Sequence, residues 1–286
     1  MKSILLTLAF LFIFTGFLFS QEVKSCCSTS DKKKTEVSFT SFGDDESFRE
    51  SHQLPGDFSL SNPQGKMINF STSDGKDANA YFVKSENESE RFIFVIHEWW
   101  GLNDNIKREA DELKRMLGDV NILALDLYDG NTAVTRENAA ELMQSADAER
   151  IKLIFDGAVK FAGENAQFGT IGWCFGGGWS LQMSIWLEEK GKACVMYYGI
   201  IENTPETFTK LNAPVLGIFA KKDGWVNPEV YGNLEKNIKA AGKKIVIKEY
   251  DAEHAFANPS NQYFDEEAAQ DAKNNVIKFF ELHLMN

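Results

Sequence analysis

Gly172-Trp173-Cys174-Phe175-Gly176-Gly177 follows the short apolar run Phe168 to Ile171 and precedes a stretch of helical character, Trp179 to Glu189. A nucleophile between small residues, with a strand before it and a helix after it, is the pattern of a sharp strand-to-helix elbow. The positions two residues either side of the nucleophile must lack bulk for the backbones to pass. The helix that follows aims its free N–H groups and the positive end of its dipole at the sulfur, which favours thiolate over thiol. The same six residues equally describe a glycine-rich turn holding an inert buried cysteine. Residues elsewhere in the chain must decide between the two.

Outward from the elbow, strand and helix patterns alternate. Arg91 to His97 and Val120 to Leu127 are near-continuous apolar runs, as expected of strands buried on both faces. Ala193 to Tyr198, Val215 to Ala220 and Lys244 to Tyr250 follow the elbow as further strands. Helical spacing occupies Asn105 to Leu117, with Ile106, Ala110, Leu113 and Leu117 on one stripe. It recurs over 135–162, Pro228 to Ala241 and Glu266 to Leu284. Ahead of these, Lys66 to Ser71 and Ala78 to Lys84 flank a Ser73-Asp74-Gly75 turn and read as a hairpin. The expected fold is therefore α/β, of the α/β-hydrolase type: a mostly parallel sheet with helices on both faces, led by an antiparallel hairpin. It fills residues 58–286 as one domain, and no internal repeat is apparent.

The first 57 residues have a different character. Lys2 and the apolar run Ile4 to Phe19 read as a signal peptide over 1–20, too short for a comfortable membrane span. Export to the periplasm or outside the cell follows, with tethering through an uncleaved segment as the alternative. Residues 21–57 form a polar tail. Phe39, Phe42 and Phe48 recur at multiples of three within it, and Asp44-Asp45 opens a short helix to His52 that Pro55-Gly56 ends. So many aromatics imply that part of the tail packs on the domain. The net charge of −12 over 286 residues leaves no basic stripe for nucleic acid. A small-molecule substrate and a monomeric protein are expected, with no membrane span after signal cleavage.

Four cysteines would meet an oxidising compartment. Cys26 and Cys27 are adjacent in the tail, where pairing or metal capture are both open. Cys194 lies roughly 13 Å below the top of the sheet at ~3.3 Å per residue. A disulfide needs Cα atoms within about 7 Å, so Cys174 and Cys194 are expected to be free.

If Cys174 is a nucleophile on such a fold, an acid must follow a later strand and a histidine the last one, in that order. Asp223 follows the strand ending at Phe219, and His254 follows the strand ending at Tyr250. The carboxylate would orient the imidazole, and the imidazole would take and return protons. Asp223 alone would be a loop acid and His254 alone a surface histidine; three residues at three strand ends in the required order argue for a triad. His52 lies in the tail, His97 ends an early strand and His283 is in the terminal helix. In His97-Glu98-Trp99-Trp100-Gly101, the N–H of Trp99 would join that of Phe175 as an oxyanion hole. Glu98 would lie beside the sulfur, unless it only caps the next helix. Trp100, Tyr128, Tyr198, Trp225 and Phe256, with Trp99 and Trp173, are candidates to bind substrate. This chemistry calls for no cofactor and no metal.

Five segments together resemble the dienelactone hydrolase family: His97-Glu98-Trp99-Trp100-Gly101-Leu102, Ala124-Leu125-Asp126-Leu127-Tyr128, the elbow, Tyr197-Tyr198-Gly199, and the Asp223 and His254 loops. The resemblance implies Cys174 as nucleophile, His254 as acid and base, Asp223 as its orienter and Glu98 as the carboxylate that helps generate the thiolate. It also implies hydrolysis of a lactone through a thioester acyl-enzyme. Two departures stand out. Where such enzymes hold a substrate carboxylate with two arginines, this chain has Asp129-Gly130-Asn131, with Arg136 nearest, and Ala257-Asn258-Pro259. Asp129 would repel an anion, so a neutral, apolar or aromatic ester, lactone or thioester is expected. A peptidase-like or acyl-transfer relative, and a non-catalytic binding protein, are the competing readings.

Overall fold

A computed structural model describes residues 38–56 and 58–286. The signal peptide expected over 1–20, the polar stretch 21–35 and the Cys26-Cys27 pair lie outside the described residues. A hairpin of β1 (Lys66–Ser71) and β2 (Asp77–Val83) opens the sheet. Then come β3 (Arg91–Ile96), β4 (Asn121–Leu125), β5 (Gln167–Trp173), β6 (Gly191–Tyr197), β7 (Val215–Ala220) and β8 (Ile245–Tyr250). These form one eight-stranded sheet in the order β1-β2-β4-β3-β5-β6-β7-β8. Only the β1–β2 and β2–β4 pairings are antiparallel. This is an α/β-hydrolase fold.

Burial follows the sequence pattern. β4 and β7 are buried at every position, whereas β8, at the edge, is fully buried only at Ile245. The helices are α1 (Glu46–Ser51), α2 (Asp104–Leu117), α3 (Arg136–Ser145), α4 (Ala148–Ala162), α5 (Phe175–Leu187), α6 (Pro228–Ala240) and α7 (Glu266–Phe280). The single helix expected over 135–162 is two, because Asp147 leaves the helical path and caps the second through a 3.0 Å bond from Glu149 N–H. The terminal helix stops at Phe280 and continues as a π-helical turn, Glu281–Met285. No helix among the described residues is long and apolar enough to cross a membrane.

The chain order places β3 between β4 and β5, so connections leave the sheet's centre in opposite directions. The crevice at the carboxyl ends of such strands is where open α/β sheets place ligands. Ile96 of β3 pairs with Gly172 of β5, which puts the segments after both strands side by side at that point.

Candidate active site

Cys174 sits directly after β5 with φ 55° and ψ −120°. This backbone conformation is costly for any residue with a Cβ. The glycines around it show why the turn is so tight. A Cβ on Gly172 would come within 2.1 Å of the Gly176 carbonyl oxygen, and one on Gly176 within 2.4 Å of the Ile96 and His97 oxygens. The helix begins at once with Phe175, four residues earlier than the sequence pattern suggests. Cys174 N–H donates to Tyr197 O at 3.0 Å, and Gly177 N–H donates to Cys174 O at 3.0 Å. Beneath the elbow, α5 is fastened to the sheet by hydroxyls. Ser180 Oγ donates to Val195 O at 2.7 Å, Thr170 Oγ1 donates to Ser180 O at 3.0 Å, and the Thr170 and Ser184 hydroxyls meet at 2.7 Å. Cys194 packs into this cluster, 3.9 Å from Ser180 Oγ, and both cysteines are free thiols.

The loop after β7 delivers Asp223 and the loop after β8 delivers His254, and the two meet at 2.5 Å between Oδ2 and Nδ1. The other carboxylate oxygen of Asp223 accepts N–H bonds from Trp225 at 2.8 Å and Val226 at 2.9 Å. Burial alone would push Asp223 up, but the His254 charge and hydrogen bond and the two backbone donors outweigh it and hold the carboxyl below its usual value. His254 therefore keeps a fixed ring orientation. Its Nε2 faces Cys174 and has no hydrogen-bond partner.

Glu98 follows β3, and its Oε2 accepts from Asn258 Nδ2 at 2.7 Å. Burial pushes its carboxyl up to about 7, against the pull of His254 and Asn258. His97, one residue earlier, is structural. Its Nδ1 lies 2.6 Å from Glu98 O, and its Nε2 accepts Leu127 N–H at 3.1 Å. The sulfur departs from the sequence expectation of a favoured thiolate. Burial first, then the Glu98 charge, pushes the Cys174 thiol well above its usual value, and the Phe175 N–H pulls it down too weakly to compensate. In this arrangement Cys174 is a protonated thiol.

What covers it is the aromatic-bearing segment of residues 38–56. After a 3-10 turn, Ser38–Asp44, the short helix α1 carries Phe48 and ends at His52. His52 Nε2 lies 3.9 Å from Cys174 Sγ. Phe48 packs against His52, Trp99, Trp225 and His254, with ring centroids 4.3 to 6.0 Å away. Arg136 Nε donates to His52 O at 2.7 Å, Trp225 Nε1 to Asp45 Oδ2 at 3.2 Å, and Gln144 Nε2 to Asp44 Oδ1 at 2.9 Å. Cys174 is 0% exposed as a result. Sequence reasoning missed His52 as a site residue; the recurring phenylalanines signalled packing without saying where.

The remaining candidates divide. Tyr198 and Trp225 contact the His254 ring, with centroids 4.9 and 6.0 Å away. Tyr128 packs on Phe175, the residue after the nucleophile, and on His97, with ring centroids 5.7 and 4.7 Å away. Trp100 and Phe256 stand one layer back, against Trp99 and Tyr198. Arg136, the nearest candidate for a carboxylate clamp, is engaged by His52 O. Asp129 does not stand as a free repelling charge, because Arg150 binds both its oxygens, at 2.7 and 2.9 Å. Beside Glu98, Trp173 and Asn258 a cavity of about 30 Å³ remains, room for a water and not for an ester. A cavity of about 910 Å³ lies at the opposite edge of the sheet, near Phe92 and Asn121 at the starts of β3 and β4, and has no part in this chemistry.

The family model "Dienelactone hydrolase family" matches residues 78–284. "Protein usf" of Aquifex pyrophilus is 31% identical over 205 residues, covering 67% of this chain and 88% of that protein. A "Putative carboxymethylenebutenolidase" of Aquifex aeolicus is 26% identical over 235 residues, covering 77% of this chain and 99% of the relative. Among solved structures, a dienelactone hydrolase-like promiscuous phosphotriesterase from metagenomic libraries superposes with a TM-score of 0.66 at 18% identity, covering 77% of this chain and 99% of that one.

Proposed function

The chain belongs to the dienelactone hydrolase family and is a hydrolase, and we propose that it is an exported, thiol-dependent hydrolase of a neutral carboxylic ester, lactone or thioester. The observation that carries this reading is the buried His254–Asp223 pair, set against a cysteine on a strand-to-helix elbow. Export rests on the sequence of residues 1–20.

Catalysis begins when Phe48 and His52 move aside and substrate takes their place. The Cys174 thiol gives its proton to Glu98, whose carboxyl is raised to about 7 and so accepts a proton near neutral pH. The thiolate attacks the carbonyl carbon, and the oxyanion is received by the N–H groups of Phe175 and Trp99. Collapse expels the alkoxide, enolate or thiolate leaving group, which takes from Glu98 the proton that the thiol gave up. Water then gives a proton to the neutral His254 Nε2 and attacks the thioester; the departing sulfur takes that proton from His254, which releases the acid and restores the thiol. Asp223 holds the imidazole in the tautomer that both steps need. A neutral substrate is favoured because Ala257-Asn258-Pro259 after the His254 loop offers no arginine, and because Tyr198 and Trp225 give the site aromatic walls.

The test compares wild type with Cys174→Ala on a panel of p-nitrophenyl esters, lactones and thioesters. Loss of at least about 10⁴-fold in kcat/KM is expected. Equal rates in the two proteins would sink the reading in favour of a non-catalytic binding role, and activity confined to peptides would favour the peptidase-like alternative.

A further inference from the structure

Three side chains from distant parts of the chain meet over the nucleophile. Cys174 Sγ and one ring nitrogen each from His52 and His254 lie within 4.8 Å of one another, all buried. Both imidazoles are oriented in the same way. His254 Nδ1 bonds to Asp223, and His52 Nδ1 lies 2.7 Å from Phe48 O, with Ser51 Oγ at 3.2 Å. An acceptor at Nδ1 fixes the proton there and leaves the Nε2 lone pair facing inward. Two inward lone pairs thus confront one S–H, which can satisfy only one of them, and His254 Nε2 is left without a partner. A buried, unpaired acceptor is costly. An imidazole whose far nitrogen is held by a carboxylate or a backbone carbonyl is also the usual outer shell of a metal-bound histidine.

We propose that His52, Cys174 and His254 form a binding site for a thiophilic divalent cation, Zn²⁺ above all, and that the ion latches residues 38–56 shut over the nucleophile. One thiolate and two imidazoles are the donor set that selects zinc over magnesium or calcium. A tetrahedral zinc needs donor separations of roughly 3.3–3.6 Å, from bond lengths of about 2.3 Å to sulfur and 2.0–2.1 Å to nitrogen. The atoms must close in by about 1 Å, which rotation of side chains on a short helix can supply. On binding, the S–H bond breaks, its proton leaves to solvent, and the sulfur lone pair so freed coordinates the ion; a water completes the coordination. The ion spends the nucleophile and ties His52, the one ligand contributed by the segment, to the catalytic pair. Its effect on catalysis rests on the hydrolase reading, whereas the site itself does not.

The test uses the full chain with Cys26 and Cys27 replaced by serine, stripped of metal and titrated with Co²⁺. One equivalent should bind with thiolate-to-cobalt charge-transfer absorption, and Zn²⁺ should displace it and protect Cys174 from iodoacetamide. His52→Ala should weaken binding at least tenfold with the thermal melt of the metal-free protein unchanged. If that variant unfolds, His52→Asn, which keeps a donor for Phe48 O, replaces it. Cys174→Ser should abolish the charge-transfer band. Zinc should inhibit ester hydrolysis in step with cobalt occupancy. Absence of a thiolate band in the wild-type site, or affinity indifferent to His52, would overturn the latch. A protein that hydrolyses esters but shows no such band loses the latch and keeps the hydrolase reading; one that binds cobalt through Cys174 yet hydrolyses nothing does the reverse.

Discussion

The sheet edge and the segment lying over it are held by different means. Cys174, Asp223 and His254 stand at the ends of β5, β7 and β8, fixed by backbone hydrogen bonds, by the hydroxyl cluster under α5 and by glycines that admit no side chain. Residues 38–56 rest on the packing of Phe39, Phe48 and the His52 ring and on hydrogen bonds from Arg136, Trp225 and Gln144. The first is a rigid scaffold and the second a cover that local opening can lift. Catalytic groups belong on the former and access control on the latter.

The largest effect should come from the scaffold. Asp223→Asn leaves a hydrogen-bonding side chain but frees the wrong tautomer of His254, and kcat/KM should fall on the order of 10⁴-fold. A loss below tenfold would mean that His254 is oriented by something else. Next is Glu98→Gln, expected to lower kcat/KM by about 10²-fold at neutral pH. Because its carboxyl is raised to about 7, the wild-type rate should climb as pH rises through that value, and the variant should lack this limb. The stability sign is opposite. The folded protein holds a proton on Glu98 between about 4.5 and 7 that the unfolded chain has already released, so this group's contribution falls as pH rises through that window. A melt series that steepens downward in wild type and flattens in Glu98→Gln checks this.

Effects on the cover should be smaller and of another kind. Phe48→Ala removes a fully buried ring, worth about 3 kcal/mol. That should raise the open population roughly a hundredfold. Alkylation of Cys174 by iodoacetamide in metal-free buffer should accelerate accordingly, while the global melt moves little. An unchanged alkylation rate would show that the segment does not gate the thiol. Asp45→Ala is the mildest change. It deletes the α1 cap, which accepts from Ser47 and Phe48 N–H, and the bond from Trp225. A loss of about 1 kcal/mol should raise alkylation about fivefold.

The same contrast explains what could be seen in the sequence. The hairpin and the buried strands are local patterns, and Cys174, Asp223 and His254 are legible as residues that follow strand runs in a fixed order. The break between α3 and α4 shows in the sequence only as a phase jump: at about 100° per residue Leu142 and Ala146 share a face that Ile151 and Ile154 do not continue. His52 and Arg136 could not be placed, because their roles depend on where a segment docks, and docking joins residues 84 and 122 positions apart. The state of the sulfur was also beyond sequence: the elbow motif speaks of a helix dipole and is silent about the burial that reverses its effect.

The wide sequence separation of these contacts has a consequence for how the protein is made. Asp45 leaves the ribosome far ahead of Trp225, its partner 180 residues later, and His52 must wait for His254, whose ring it meets at 5.2 Å. The cover is thus among the first described residues to be synthesised and among the last able to find their place. From the synthesis of Cys174 until His254 and the end of the sheet are in place the thiol lies bare, and docking of residues 38–56 is what finally shields it.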